Sequence, residues 1–183
     1  SELHHQFPQM EQHPRFCTSQ GGPIDNLSEA VFKDTHGKPT HFIYDRHPIL
    51  SEYVYRLAVD GYIPEAFLSD AMGRVRNRIA KNSLVIFCLP PLSVVKRNIS
   101  DEYDMPGVVN NIEKIYDLYK MHRLMWPGRH VIFDYTQRDI SWQKLSYALA
   151  DTRNNLWKES AKKSLCVNFI IKLSACNRFF IGI

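Results

Sequence analysis

The stretch "SLVIFCLPP", residues 83–91, constrains the fold more than any other. Its apolar residues run on without alternating with polar ones, so both faces of the strand must be covered, as in a parallel sheet packed between helices. Two shorter runs, "HFIY" and "HVIF", repeat the pattern, and each leads straight into an aspartate, Asp45 and Asp134. Between these runs the apolar residues fall at helical spacing. Residues 49–58 predict a short helix broken by Gly61. Pro64 suits a first helical position, with Phe67, Leu68, Ala71, Met72, Val75 and Ile79 following on one continuous helix. Residues 92–98 predict a short helix, and 108–125 a strong amphipathic one stopped by "WPG". Ser141 is placed to cap a last long helix reaching about Trp157. Near the start, "RFCTSQGGP" predicts a short strand running into a glycine turn, and residues 25–33 a helix ended by "DTHGKP". Strand alternating with helix at these intervals predicts an α/β three-layer sandwich with a mostly parallel central sheet and right-handed crossovers.

A chain of 183 residues suffices for one domain with a real core. Residues 1–13 lack periodicity and are expected to form a flexible arm, and residues 14–183 a single domain with an unusual apolar tail from about residue 164. Three of the eight histidines, His4, His5 and His13, fall in that arm without the rigid spacing that metal ligation needs. No window reaches the roughly 18 apolar residues that span a bilayer. The polar, proline-broken start resembles no targeting segment, so a cytoplasmic setting is expected. With a net charge of +4 spread along the chain, no duplex nucleic acid is demanded as a partner, and a small phosphorylated ligand suffices. Cys17, Cys88, Cys166 and Cys176 form no C-x-x-C pair and read as reduced thiols.

Ligands of open α/β sheets bind beyond the carboxyl ends of the strands. Ser19, Asp45, Leu89 and Asp134 are expected at those ends. The adjacent acid and base Asp45-Arg46 therefore occupy the place where such a sheet presents its chemistry.

The segments "FCTSQGGP", "IYDRHPILSEYVY", "LVIFCLPPLSVV", "NNIEKIYDLY" and "VIFDYT" together resemble the thymidylate-kinase-like nucleotide kinases of bacteriophages, within the P-loop nucleoside monophosphate kinase superfamily. The similarity covers roughly residues 16–157, and its most specific part is the Asp-Arg-His-Pro turn followed by "SEYVY". The resemblance implies that Arg46 binds the acceptor monophosphate, while Asp45 positions the attacking phosphate oxygen or holds the magnesium shell. A planar guanidinium suits bidentate hydrogen bonding to phosphate, and phosphoryl transfer is catalysed chiefly by positioning and charge neutralisation. A structural ion pair capping the strand is the other reading of these two residues.

The remaining candidates follow from the same likeness. Ser19 and Gln20 can hydrogen-bond a nucleoside, Gln20 being suited to a pyrimidine edge. Tyr53, Tyr55 and Phe16 can stack on a base, with at least one expected in the core. Glu52 is a candidate general base, ribose ligand or simple cap. Arg74, Arg76 and Arg78 offer one or two guanidiniums to the acceptor, the rest forming a solvated face. Lys96 and Arg97 precede the polar "NISDEYDMPG" connection, where these kinases carry a lid, and Asp134 ends a strand where the donor base would sit. His47, wedged before Pro48, reads as structural.

One signature is missing. The family's G-x-x-x-x-G-K-[ST] loop cradles the donor phosphates, and its nearest approach here, Gly37-Lys38, is followed by Pro39 and has Phe32 in place of the first glycine. Gly21-Gly22-Pro23 has no following lysine and reads as a substrate-side turn. Either the natural N-terminus is lost from this sequence, or the chain has dispensed with the loop. In the family the loop's strand lies between the "FIYDR" and "LVIFC" strands, so its loss leaves two unpaired edges. The run 166–173 is a candidate to fill that slot; the alternative is an outer-edge strand or a dimer contact through Phe179, Phe180 and Ile181. The resemblance thus implies a nucleotide kinase homologue acting on a nucleoside monophosphate such as dTMP, with ATP and Mg²⁺ if active, and impaired by the missing loop. It would work in the host cytoplasm if viral. The alternative is a non-catalytic kinase-like protein that binds a nucleotide or a host protein.

Overall fold

In the computed structural model, which describes residues 10–17, 24–36, 42–99, 107–160 and 168–171, the fold is mixed α/β and mostly helical. The described chain runs β1 (Glu11–Gln12), α1 (Leu27–His36), β2 (Phe42–Asp45), α2 (Pro48–Tyr55), a π-helical turn (Arg56–Asp60), α3 (Glu65–Leu68), α4 (Asp70–Asn82), β3 (Ser83–Cys88) and α5 (Leu92–Asn98). It continues through a 3-10 turn (Val109–Asn111), α6 (Ile112–Met125), β4 (His130–Phe133), a second 3-10 turn (Tyr135–Gln137), α7 (Arg138–Ser160) and β5 (Asn168–Ile171).

β3 is buried along its whole length, as the unbroken apolar run predicts. Its residues alternate between two cores because successive side chains leave a strand on opposite faces. Val85 and Phe87 join Tyr44 of β2 and the apolar stripes of α1, α2, α4 and α6. Leu84, Ile86 and Cys88 join Ile43, Phe133 and Leu145 of α7, with Trp142 packed against them. Helices therefore cover the strands on both sides. A side chain such as Leu84 or Val85, about 1% exposed, contributes roughly 1.5–3 kcal/mol by its removal from water.

The strands are parallel, in the order β1-β2-β5-β3-β4. β5, the apolar tail segment, lies between β2 and β3, pairing Ile43 with Phe169 and Asp45 with Ile171 on one side, and Leu84 with Phe169 and Ile86 with Ile171 on the other. It fills the slot that the sequence leaves open, rather than extending an outer edge. Without it, β2 and β3 would each present an unpaired ladder to the interior, which a fold does not tolerate.

Three expectations are corrected. The first strand comes earlier than "RFC", at Glu11–Gln12, two exposed polar residues recruited by the edge of β2 through Glu11↔Phe42 and Gln12↔Ile43, and of "RFC" Cys17 alone makes a β-bridge. The arm therefore joins the fold before residue 13, and Met10 is already buried. The single helix expected from Pro64 is divided at Ser69, whose extended backbone and side-chain acceptance from Met72 N start α4 afresh. Ser141 does not cap α7, which begins three residues earlier; its hydroxyl bonds back to the backbone of Asp134. Gly61, by contrast, ends the π-helical turn in the left-handed conformation, at φ 78°, that glycine adopts without cost. Residues 1–9, 18–23, 37–41, 100–106, 161–167 and 172–183 lie outside the described residues, and with them the readings of His4, His5, Ser19, Gln20, Gly37, Lys38, Cys166, Cys176, Phe179, Phe180 and Ile181.

Candidate anion site at the carboxyl end of the sheet

The parallel register sets the height of each strand end. Asp45 is level with Ile171, which is level with Ile86, while Cys88 pairs with Phe133. Asp45 therefore sits two residues below the top of β3, in a step at the β2 end of the sheet.

The carboxylate of Asp45 is gripped by Arg15, whose Nε donates at 2.9 Å and whose Nη2 also bonds the same oxygen. This partner comes from thirty residues earlier. The Arg15 side chain is 43% exposed, so the pair is a solvated one of modest strength. Arg46 follows with φ 63°, a left-handed backbone that is rare outside glycine and asparagine and that collects at functional sites. Its Nε is buried, and its charge reaches the phenol of Tyr119 on α6. Burial pushes that phenol well above its usual range, with Tyr55 reinforcing the effect and Arg46 opposing it. The Tyr55 and Tyr119 rings stand edge to face at 6.3 Å. Both are buried, so Tyr55 is core, as expected for at least one of the tyrosines.

The chain enters α2 through His47, which is buried and accepts from Ile49 N at 3.2 Å, with Pro48 at the first helical position. Burial pushes its imidazole down to about 3, so it is neutral, and its role is the cap. Glu52 is no free base: it accepts from Arg56 Nε at 3.1 Å, and Arg56 Nη1 reaches Asp60 at 2.8 Å, a chain of alternating charges along one helix face. Tyr53 packs edge to face on His122 of α6 at 4.7 Å instead of opening toward a ligand. Phe16 stacks on His13.

The other candidates disperse. Arg74 and Arg78 are exposed on α4, away from its buried Met72, Val75 and Ile79. Arg76 lies over the Trp126 ring at 5.7 Å. Arg97 is exposed near the end of α5, while Lys96 pairs with Glu113. The neighbours of Arg97 and Asp134 do meet, since Asn98 Nδ2 donates to Tyr135 Oη at 2.9 Å. There the Asp134 carboxylate accepts from Thr136 N at 2.8 Å and from Thr136 Oγ1 at 2.7 Å, a strand-end cap. Tyr116 donates to Pro90 O at 2.9 Å, and burial, helped by Asp134, raises its phenol.

Sequence reasoning missed Arg15 and Asp34. Arg15 lay in a presumed strand and Asp34 in a helix end, and neither carried a local signal of its distant partner. Among the described residues no group of three or more His, Cys, Asp or Glu side chains is placed to hold a metal ion, and no helix is long and apolar enough to cross a membrane. Comparisons with protein families, with curated proteins and with solved structures find no match to this chain.

Proposed function

We propose that this chain is a nucleotide-kinase-like scaffold whose β2 end binds the phosphate of a nucleoside monophosphate such as dTMP. The observation that carries this reading is the grouping at the carboxyl end of a parallel strand: Arg46 with a left-handed backbone beside Asp45, whose charge Arg15 already balances. Arg15, Asp45 and Arg46 together carry one positive charge, and a guanidinium at a strand end suits charge-assisted hydrogen bonding to a phosphate. Helices on both faces of the strands support the three-layer kinase-like sandwich of the resemblance.

The described residues do not fit a protein-held Mg²⁺. Asp45 is engaged by Arg15 and Asp134 by Thr136, and no further carboxylate joins them. β5 occupies the place that the phosphate-loop strand takes in the resembled kinases, and the residues after it, "KLSACNRFFIGI", carry no G-x-x-x-x-G-K-[ST]. This favours the second reading, a non-catalytic protein that keeps the acceptor end and binds a nucleotide or a host protein, over an efficient kinase using ATP. Calorimetry with dTMP and with ATP-Mg²⁺ separately tests both. Binding of the monophosphate alone supports the proposal, and binding of neither leaves the protein-binding role. ATP-dependent phosphorylation of dTMP or dGMP at ordinary kinase rates, lost in Arg46→Ala, would overturn the impaired-donor reading.

A further inference from the structure

His13 lies where the segment after β1 passes α1 and β2. Its Nε2 is 2.8 Å from Asp34 Oδ1 on α1, and its Nδ1 is 2.6 Å from Pro14 O. Both partners are acceptors, so both ring nitrogens must carry hydrogen for the two bonds to coexist, and a neutral imidazole has only one such hydrogen. Asp34 is held from its other oxygen by the Tyr44 hydroxyl at 2.7 Å. The imidazole stacks on Phe16 at 4.9 Å and on Tyr44 at 4.6 Å, with Phe42 edge-on at 5.1 Å. Among the described residues the other titratable group at this cluster is His47, which stays neutral and faces Tyr44 at 5.0 Å. Two residues beyond His13, Arg15 grips Asp45. The segment is thus held by two charged clasps, a two-residue strand and the bond from His13 N to Ile43 O.

We propose that protonated His13 is a latch: as an imidazolium it locks residues 10–17 onto α1, and loss of its proton loosens that segment together with Arg15's hold on Asp45. The latch does not depend on what the strand end binds. Burial works against the cation, but the hydrogen bond and charge of Asp34 and the Pro14 carbonyl outweigh it, so His13 titrates above its ordinary 6.5. Its contribution is therefore complete below 6.5 and is lost as the pH rises through the higher folded value. Burial also opposes the Asp34 carboxylate, and the bonds from His13 and Tyr44 still hold it below its usual value. The acid limit of the latch is set there, where falling pH protonates Asp34.

The full chain tests this by following the His13 ring signals by NMR, and amide exchange of residues 10–17 corrected for intrinsic rates, from mildly acidic to mildly alkaline pH. The proposal expects His13 to titrate above 6.5 and protection of the segment to fall roughly tenfold over the same pH range, as the loss of a charge-assisted hydrogen bond implies. His13→Gln, which keeps a donor but has no proton to lose, should show no such step. A wild-type His13 titrating at or below 6.5, a protection step that does not follow its titration, or the same step in His13→Gln would overturn it.

Discussion

Asp45 and Asp134 carry the same local signal, an apolar strand running into an acid and then a polar turn, yet they end in different states. Asp45 meets a guanidinium brought from the N-terminal segment, and the next residue, with a left-handed backbone, brings its own charge within reach of Tyr119 on α6. The Asp134 carboxylate accepts from its neighbour Thr136 and shapes a 3-10 turn, while its backbone bonds Ser141. A strand-end carboxylate is therefore not in itself a site. What separates the two is a guanidinium that arrives over a long sequence distance, Arg15, which adds a positive charge beside Asp45 and Arg46.

Changes at the two ends, and at the strand between them, should differ in kind. The largest effect is expected from Ile170→Pro in β5, which removes a ladder donor from the strand that separates the two ends; a loss on the order of 3 kcal/mol should appear as a lower urea midpoint. An unchanged midpoint would mean that β5 is dispensable to the sheet. Asp134→Ala deletes a cap and should cost about 1 kcal/mol of stability while leaving dTMP binding intact. Arg46→Gly removes a side chain from a left-handed backbone, so stability should hold or rise by up to about 1 kcal/mol while ligand affinity falls. A protein destabilised by Arg46→Gly would show that the arginine is there for packing. Arg74→Ala and Arg78→Ala, on an exposed helix face, should each change stability by less than about 0.5 kcal/mol and leave binding unaffected.

Legibility in the sequence follows the same division between local and distant causes. β3 and α5 were readable because an unbroken apolar run and a proline-bounded helical stretch fix their own limits. β5 was legible as a candidate because a buried gap and an unassigned β-forming run imply one another. β1 was not, since Glu and Gln become a strand only through the edge that β2 offers. The break at Ser69 was hidden by apolar spacing that continues across it, although a serine followed by an aspartate is an ordinary helix start. At the candidate site the position of Asp45 and Arg46 at a strand end is legible from the apolar run before them, whereas their roles, like those of Glu52, Tyr53, Arg74 and Arg78, come from a resemblance; the fold gives Glu52 and Tyr53 other partners and leaves Arg74 and Arg78 exposed. Arg15 and the His13–Asp34 contact were invisible, because a contact between residues 13 and 34 has no periodicity to announce it.

The most direct test is calorimetric titration of dTMP into the wild-type chain, Arg46→Ala and Asp134→Ala. Saturable binding by the wild type and by Asp134→Ala, weakened roughly tenfold or more in Arg46→Ala, is the predicted result for a charge-assisted phosphate contact at the β2 end. Equal binding by Arg46→Ala, or a loss confined to Asp134→Ala, would contradict it.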